Sequence, residues 1–422
     1  MEQSIPGFRS VPRTGVIYVT HEATRHGFAY GKSVWANLGQ GSPETGDIPG
    51  APPRIMEVKI SEASRQYGPV AGNQKLRQAV ADFYNATYRR GKKSRYTADN
   101  VSIASGGRLA LTRLASALGN INMGHFIPDY TAYEELLSVF KAFTPIPILL
   151  RAEHGYKISP DDLKEEILGR GLSALLVSNP CNPTGQLMEG KELSAWCELA
   201  RECQCSMIFD EFYSHYIYGK AESGKRKAEI PKMVSAAEFV DDVDKDPIVI
   251  VDGLTKNWRY PGWRISWTLG PKAVIEAIAS AGSFLDGGAN HPFQNAALPL
   301  LDPKNAAAET FAIQKHFGKK RALLLSRLKK LGITADAAPA GAFYVWANLA
   351  KLPPPLDDGM NFFRECLKEK VIVVPGVFFD VNPGNRRTHA RYKNYCRISF
   401  GPEIEKLKLG LDAFARVIAK FK

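Results

Sequence analysis

Short apolar runs alternate with amphipathic stretches through the middle of the chain. Runs of this length that are rich in Val, Ile and Leu are typical of strands buried on both faces. Between them, apolar residues recur three and four positions apart, as Leu111, Leu114 and Leu118 do, which predicts helices. Strands that alternate with helices favour an α/β fold with a mostly parallel central sheet. The predicted strands are VSIAS (101–105), ALLVSNP (174–180), SMIFDEFY (206–213), PIVIVDGL (247–254) and SWTLGP (266–271), and two of the predicted helices span 189–203 and 272–282.

The pattern changes near residue 303, where a long helical stretch (304–331) is followed by the strand-like runs GAFYVWANL and CRISFG. This order predicts a smaller α+β domain over 303–422 and a large domain over 51–302. A Pro/Gly-rich stretch (43–53) separates the first 50 residues from the large domain, and we expect those residues to form an N-terminal arm and part of the small domain. The charged stretch 219–246 is predicted to be a surface insertion.

Composition bounds the possible classes of protein. The chain has 422 residues, of which 45% are hydrophobic and 23% charged, which is typical of a globular protein of about two or three domains. No segment approaches the roughly 20 apolar residues that a membrane span needs, and we see no secretory signal. The six cysteines do not suggest a disulfide framework, and Cys203 and Cys205 are expected to be buried thiols. We therefore expect a cytoplasmic protein without a metal site.

The net charge of +12 is spread along the chain. The densest basic groups, at 88–96, 219–227 and 385–393, do not belong to a recognisable nucleic-acid module. We therefore expect neither a nucleic acid nor a membrane as partner, and the first two groups are interpreted as solvated loops.

Polar groups follow four of the predicted strands. The Gly-Gly-Arg sequence at 106–108 opens a helix, and the N–H groups at a helix start can bind an anion, although a plain strand-to-helix turn would also explain the glycines. A turn rich in Pro and Gly presents the Asn182 amide after the second strand. Asp210 closes the third strand, and Lys256 follows the fourth. A lysine in a dry site has a lowered pKa, which suits Schiff-base chemistry.

This set matches the needs of pyridoxal 5′-phosphate (PLP). Its phosphate requires helix N–H groups and an arginine, and its aldehyde requires a lysine. An Asp keeps the pyridine nitrogen protonated, so that the ring acts as an electron sink. The sequence therefore predicts PLP as the cofactor.

The chain resembles the class I/II aminotransferase family, whose members are fold-type I PLP-dependent enzymes, over essentially its whole length. The resemblance rests on motifs that occur in the family's order: ANLGQGSPETGD, QYGPVAGNQKLRQAV, ASGGRLAL, PDYTAY, SNPCNPTG, DEFY, LTKNWRYPGWRISW, GAFYVW and CRISFG. It implies the fold-type I architecture and a homodimer with shared active sites.

The resemblance also implies catalytic roles. Lys256 would form the Schiff base and then move the proton between the substrate Cα and the cofactor. Asp210 would pair with the pyridine nitrogen, and Tyr213 and Asn182 would hydrogen-bond the phenolate oxygen. Tyr130 would stack on the ring.

The remaining roles concern the phosphate and the substrate. Arg397 would bind the α-carboxylate of the substrate with a two-pronged contact, and Asn182 would reach the same group. Tyr18, with Val16 and Ile17, would line an apolar wall of the side-chain pocket, and Tyr67 would reach the partner subunit's phosphate. The other residues assigned to cofactor or substrate are Gly106, Gly107, Arg108, Thr255 and Arg264 at the phosphate, and Gly41 at the carboxylate.

The reaction that we expect is transamination between an L-amino acid and a 2-oxo acid, through a pyridoxamine intermediate. The alternative is a PLP-dependent lyase or cyclising synthase, because the motifs that hold PLP do not separate these outcomes. A transcription factor on this fold would need an additional DNA-binding domain, for which the N-terminal arm leaves no room.

Three smaller interpretations stay open. Arg386, Arg387 or Arg391 in the basic loop 385–393 would attract a dicarboxylate, or else the loop is merely solvated. Arg259 is expected to form a structural salt bridge. The stretch 286–294 would approach the neighbouring subunit's cofactor through Asn290 and His291.

Overall fold

The structure is a computed structural model that describes residues 6–8, 11, 13, 15–219 and 232–422. Its helices are α1 Gly15–Arg25, α2 Gln74–Tyr88, α3 Gly107–Ala117, α4 Ala132–Val139, α5 Pro160–Arg170, α6 Lys191–Glu202, α7 Lys272–Leu285, α8 His291–Ala297, α9 Pro303–Lys330, α10 Gly359–Lys368 and α11 Ile404–Ala419. Its strands are β1 Ala36–Asn37, β2 Val101–Ala104, β3 Asn122–Ile127, β4 Thr144–Leu149, β5 Leu172–Ser178, β6 Ser206–Asp210, β7 Ile248–Gly253, β8 Ser266–Leu269, β9 Thr334–Ala335, β10 Tyr344–Asn348, β11 Val371–Ile372, β12 Val374–Pro375 and β13 Tyr395–Ser399.

The larger sheet of the described residues has the strand order β2-β8-β7-β6-β5-β3-β4. Its strands pair in parallel except for β8, which runs antiparallel to both β2 and β7. The central strands are mostly apolar because helices cover both faces of such a sheet, and their polar residues include Asp210 and Asp252 near the carboxyl ends. The prediction of a mostly parallel α/β sheet with flanking helices is confirmed.

A second sheet, with the order β12-β13-β10-β9, is antiparallel and is built from the C-terminal part of the chain. Strand β1 pairs in parallel with β11, so the N-terminal segment lies against the same part. This pairing is compatible with an N-terminal arm that joins a small domain. The boundaries at residues 50 and 302 stay predictions.

Most of the predicted elements lie where the apolar pattern puts them. The helices predicted at 189–203, 272–282 and 304–331 are α6, α7 and α9, with ends that differ by at most three residues. Strands β3 and β4 were not predicted, because Gly124 and His125 interrupt the apolar run of one, and Pro145 and Pro147 interrupt the other.

The prediction of a surface insertion over 219–246 is wrong for its second part. Residues 220–231 lie outside the described ranges, but Val234, Ala236 and Ala237 are buried. The backbone N–H of Ala236 donates a 2.7 Å hydrogen bond to Glu211 Oε1, which lies beside Asp210. This part packs against the large sheet because its small apolar residues fit there, despite the flanking charges.

No helix among the described residues is long and apolar enough to cross a membrane. All six cysteines have free thiols, and Cys205 is buried while Cys203 is half-buried.

Candidate active site

The carboxyl ends of the three central strands meet at one cavity. Ser178 and Asp210 are paired in register at the ends of β5 and β6, and Asp210 is paired with Val251 near the end of β7. The cavity that follows these ends measures about 340 Å³. Its lining contains most of the sequence-predicted residues: Gly107, Arg108, Tyr130, Asn182, Asp210, Tyr213, Thr255, Lys256 and Arg264.

Lys256 lies three residues after β7, with its ammonium group in the cavity. Its Nζ donates a hydrogen bond to the backbone carbonyl of Gly41. Burial and, after it, the charges of Arg397, Arg264 and Arg108 together lower the pKa of Lys256 to about 7, and the Asp210 carboxylate opposes this only in part. The lysine can therefore be a neutral amine near pH 7, as a nucleophile or base must be.

Asp210 is a buried carboxylate at the end of β6. Burial raises its pKa to about 6, although a hydrogen bond from Tyr133 opposes that rise. The Tyr133 hydroxyl donates to Asp210 Oδ2 at 2.7 Å, and its ring is fully buried. The other carboxylate oxygen keeps room for a donor, because it accepts only a long 3.5 Å bond from the Phe212 N–H.

The opposite end of the cavity is shaped for an anion. Gly106 precedes α3 with a φ of +94°, and a Cβ at this position would lie 1.9 Å from Arg264 Nη2. At Gly107 a Cβ would lie 2.5 Å from the Phe212 ring. Glycines are therefore required for the helix N-terminus to lie this close to the guanidinium. The Thr255 hydroxyl is buried and has no hydrogen-bond partner among the described residues.

Arg397 projects from β13 towards the same space and is 1% exposed. Its Nη1 donates to Asn182 Oδ1 at 2.9 Å and its Nη2 donates to the Gly39 carbonyl at 2.5 Å. Its guanidinium lies 4.3 Å from the centroid of the Tyr344 ring. Among the described residues, no carboxylate lies within salt-bridge distance of Arg397, and its Nε is unpartnered. A wider cavity of about 680 Å³ joins Arg397 and Gly41 to Lys256.

Tyr213 and Tyr344 form a pair at the floor of this wider cavity. Their hydroxyls lie 2.8 Å apart, and their rings meet edge to face. Tyr130 lies at the opposite wall, where its hydroxyl accepts hydrogen bonds from Arg108 at 3.2 and 3.4 Å.

The structure does not bring every predicted residue into the cavity. The Tyr18 ring packs against Phe378 and Phe363, on the face of α1 that points away from the cavity. The cavity is lined instead by Val16 and Ile17 of the same helix, because residues one or two positions apart on a helix face different directions. The predicted role of Tyr18 in lining the pocket is therefore not supported by its position.

Two other predictions concern the surface. Tyr67 is 100% exposed in the single chain. Asn290 caps α8 by accepting a hydrogen bond from the Phe293 N–H, and the neighbouring His291 is half-buried, with Nδ1 3.4 Å from the Gln66 carbonyl. These residues lie outside the described cavities, so a contribution across a subunit boundary stays a prediction.

The basic loop is held by a carboxylate of its own. Arg387 Nη1 lies 2.6 Å from Asp380 Oδ1, and the Arg391 N–H donates to Asp380 Oδ2 at 2.6 Å. None of the loop's arginines lines the described cavities. The predicted structural role of Arg259 is confirmed, because its Nε donates to Glu309 Oε1 at 2.6 Å and both side chains are buried.

Two residues at the site were not found from the sequence. Tyr133 lies three positions after Tyr130, a helical spacing that could have pointed to a shared direction. Tyr344 lies inside the quoted motif GAFYVW, but nothing local in that motif shows that its hydroxyl meets Tyr213.

Comparisons with known proteins agree with this geometry. The family model for aminotransferase class I and II matches residues 33–414. A probable aspartate/prephenate aminotransferase from Thermus aquaticus is 28% identical over 364 residues, which are 85% of each chain. An aspartate aminotransferase from Pyrococcus horikoshii is 26% identical over 387 residues, or 90% of this chain and 89% of the relative. The structure of Thermus thermophilus aspartate aminotransferase with maleate has a TM-score of 0.76 and 26% identity, and the match covers 97% of this chain and 100% of that one.

The fold and the site define a fold-type I enzyme of the PLP-dependent class. The chain belongs to the class I and II aminotransferase family. It is a PLP-dependent aminotransferase, which moves an amino group between an L-amino acid and a 2-oxo acid. The alternative of a lyase or cyclising synthase is not favoured by these comparisons.

Proposed function

We propose that PLP is the cofactor that the 340 Å³ cavity would hold, and that the Lys256 amine would attach it through its aldehyde with loss of water. The observation that carries the proposal is the convergence of a lysine, a buried carboxylate and a glycine-lined helix start on one cavity. The unpartnered Thr255 hydroxyl fits a phosphate oxygen, and Arg264 supplies the positive charge. Asp210 fits the ring nitrogen, because one of its oxygens is open to a donor while Tyr133 holds the other.

When bound, PLP supplies a ring that accepts the negative charge left as the substrate Cα loses its proton. Lys256 holds and returns that proton, because its lowered pKa lets the neutral amine form near pH 7. Asn182, Tyr213 and Tyr130 line the same cavity; Asn182 and Tyr213 would hold the cofactor through hydrogen bonds to its phenolate oxygen, and Tyr130 would pack against its ring.

Arg397 binds the α-carboxylate of the amino acid and of the 2-oxo acid. A buried guanidinium that lacks a carboxylate partner among the described residues requires an anion to balance its charge. The planar fork of an arginine suits the two oxygens of a carboxylate. Asn182 and Tyr344 hold the guanidinium in place.

The substrate class that fits best is a dicarboxylic amino acid with its 2-oxo acid, such as aspartate or glutamate and 2-oxoglutarate. The Arg108 guanidinium contacts only the Tyr130 hydroxyl among the described residues, which leaves a second cation at the cavity wall. The named relatives support the same class, because two are aspartate aminotransferases and one was solved with maleate, a dicarboxylate.

The functional unit is a cytoplasmic homodimer with shared active sites. Tyr67 is fully exposed in the single chain, and three large apolar side chains, Met56, Ile60 and Phe284, are exposed as well. Side chains of this kind are commonly covered by a partner subunit. The free thiols are compatible with a reducing compartment.

A single-turnover absorbance experiment tests the proposal. Holoenzyme is mixed with each common amino acid in the absence of a 2-oxo acid. Aspartate or glutamate should convert the bound cofactor stoichiometrically to its amine form, whereas alanine and phenylalanine should react weakly. A preference for apolar amino acids would contradict the substrate class, and ammonia or a cyclised product without the absorbance change would contradict transamination.

A variant at the second cation sharpens this experiment. Arg108→Gln should raise the KM for aspartate about tenfold, the usual cost of a lost hydrogen bond to a charged group, and leave that for alanine unchanged. Equal changes for both amino acids would show that Arg108 acts on the cofactor and not on the substrate side chain.

A further inference from the structure

A short backbone segment contacts Arg397 and Lys256, two of the cations at the proposed reaction centre. Residues 39–46, here called the glycine segment, lie between β1 and α2. The Gly39 carbonyl accepts the hydrogen bond from Arg397 Nη2, and the Gly41 carbonyl accepts that from Lys256 Nζ. A Cβ at Gly41 would lie 2.8 Å from the Tyr344 hydroxyl. The position of this backbone therefore affects the groups proposed to bind and convert the substrate.

The glycine segment is fixed on one side by a buried charge cluster. Glu44 Oε2 accepts a 2.7 Å hydrogen bond from Lys320 Nζ, and Glu44 Oε1 lies 2.8 Å from His316 Nε2. Lys320 projects from α9, is 0% exposed, and also donates to the carbonyls of Gly401 and Pro402 at 3.1 and 2.8 Å. The Glu44 N–H donates in turn to the Gly401 carbonyl at 2.9 Å.

The other side of the segment is held by the loop that carries Lys256. Arg259 Nη1 donates to the carbonyls of Glu44 and Gly46 at 3.1 and 2.6 Å. Its Nε is bonded to Glu309 on α9, so that one helix receives both anchors. Neither Glu44 nor Lys320 lines the described cavities. Any effect of this cluster on the reaction must therefore pass through the backbone.

We propose that Glu44 is a positioning residue for substrate binding, which fixes the glycine segment so that the Gly39 carbonyl keeps Arg397 aligned with the substrate carboxylate. The proposal rests on the role of Arg397 in the proposed function. A buried ion pair is weak evidence for stability, because the cost of desolvating two charges can exceed their attraction. Held geometry is the better account of this pair, since a small misplacement of a binding group costs much activity.

The test compares kinetic constants of holoenzyme variants. Glu44→Gln should raise the KM for aspartate and for 2-oxoglutarate about tenfold while kcat changes less, because the lost interaction serves binding. The affinity of the apoenzyme for PLP should be unchanged, since the phosphate donors belong to α3 and to residues 255–264. Glu44→Asp keeps the charge and should give a smaller rise in KM.

Two further variants separate positioning from general destabilisation. Asp246→Asn is the matched control, because Asp246 is a similarly buried carboxylate that accepts from Arg201 and from the Asp241 N–H at the amino end of β7. It should lower stability without changing KM. The double variant Glu44→Gln/Lys320→Met removes both charges and remains testable if the single variant does not fold.

The outcomes are distinct. Wild-type KM values in Glu44→Gln or in the folded double variant would overturn the proposal, and so would a fall in PLP affinity as large as the rise in KM. Arg397→Lys is measured alongside. If that variant also keeps wild-type KM values, the proposed role of Arg397 fails; if it loses substrate binding while Glu44→Gln does not, only the role of Glu44 fails.

Discussion

Two arginine-rich regions of this molecule differ in how their charges are balanced. At the cavity, Arg397, Arg264 and Arg108 have no carboxylate within salt-bridge distance among the described residues. In the basic loop, Arg387 and Arg391 both contact Asp380, whose side chain is nearly buried. In the sequence, positive charge is denser in the loop, where four Lys or Arg residues lie within 385–393. The three cavity arginines are far apart along the chain.

The difference shows that unbalanced charge, and not charge density, marks a binding site. A cation that already has a carboxylate has little to gain from a ligand, whereas a buried cation without one, as Arg397 is, is costly until an anion arrives. Arg108 and Arg264 are exposed in the single chain, so this argument applies to Arg397 alone. Burial is the largest cause of the lowered pKa of Lys256, and the charges of the three cavity arginines add to it, so that the pKa is about 7. In the proposed function the cavity arginines would therefore serve both binding and proton transfer, and the loop arginines would serve neither.

The largest expected effect comes from removing the lysine that these charges act on. Lys256→Ala should lower turnover by at least about 10⁴-fold, because the variant loses both its nucleophile and its base. The protein should remain folded and should still bind PLP without a covalent bond. Steady-state rates and equilibrium dialysis measure the two properties. Lys272→Ala, at a half-exposed lysine 3.5 Å from Asp244, is the control and should keep full activity.

The second effect concerns the negative charge in the cavity. Asp210→Asn should lower kcat by about 10³-fold, because a neutral amide no longer keeps the ring nitrogen protonated. The affinity for PLP should fall much less, since the phosphate contacts remain. The measurement is kcat together with PLP titration of the apoenzyme. Wild-type kcat would refute the assignment of Asp210.

The sequence predicted those parts of the site that local patterns define. It missed contacts between residues far apart along the chain. Asp210 and Lys256 were singled out because Asp210 is the last residue of a buried strand and Lys256 follows the end of another, and parallel strands bring such ends together. The contact of Tyr133 with Asp210 joins residues 77 positions apart, and that of Lys320 with Glu44 joins residues 276 apart. Such contacts depend on packing between elements, which a local pattern does not contain.

The sequence also could not predict which face of a helix lines the cavity where the apolar periodicity was weak. For α1, the sequence predicted that Val16, Ile17 and Tyr18 line the pocket wall. Val16 and Ile17 line the cavity, whereas the Tyr18 ring packs against Phe378. The fold was easier to predict, since whole apolar runs specify strands regardless of any one contact.

A smaller effect is expected on the pH dependence of Lys256. Because the pKa of Lys256 is lowered to about 7, its amine is neutral above that pH and protonated below it. The rate at which apoenzyme forms an imine with pyridoxal should therefore rise as the pH increases through about 7. Arg397→Met removes the largest charge contribution to this shift, so the rise should move to higher pH. Stopped-flow absorbance over a range of pH measures it.

The control for that experiment comes from the basic loop, where arginines are paired with Asp380. Arg387→Met removes a cation that Asp380 already balances, and it should leave the midpoint of the pH profile where it is in the wild type. An equal movement of the midpoint in both variants would mean that the total charge of the protein, and not the local cavity arginines, sets the pKa of Lys256.

The smallest kinetic effect is expected when the basic loop itself is neutralised. Replacing Arg386, Arg387 and Arg391 with Gln should leave kcat/KM for 2-oxoglutarate unchanged, because these side chains lie outside the described cavities. The free energy of unfolding should fall by about 1–2 kcal/mol, since Asp380 loses the charged donor Arg387 and keeps only the backbone N–H of residue 391. Urea titration and steady-state kinetics measure the two quantities. A clear fall in kcat/KM without a loss of stability would reverse the comparison, because it would show that the loop attracts the dicarboxylate despite its pairing.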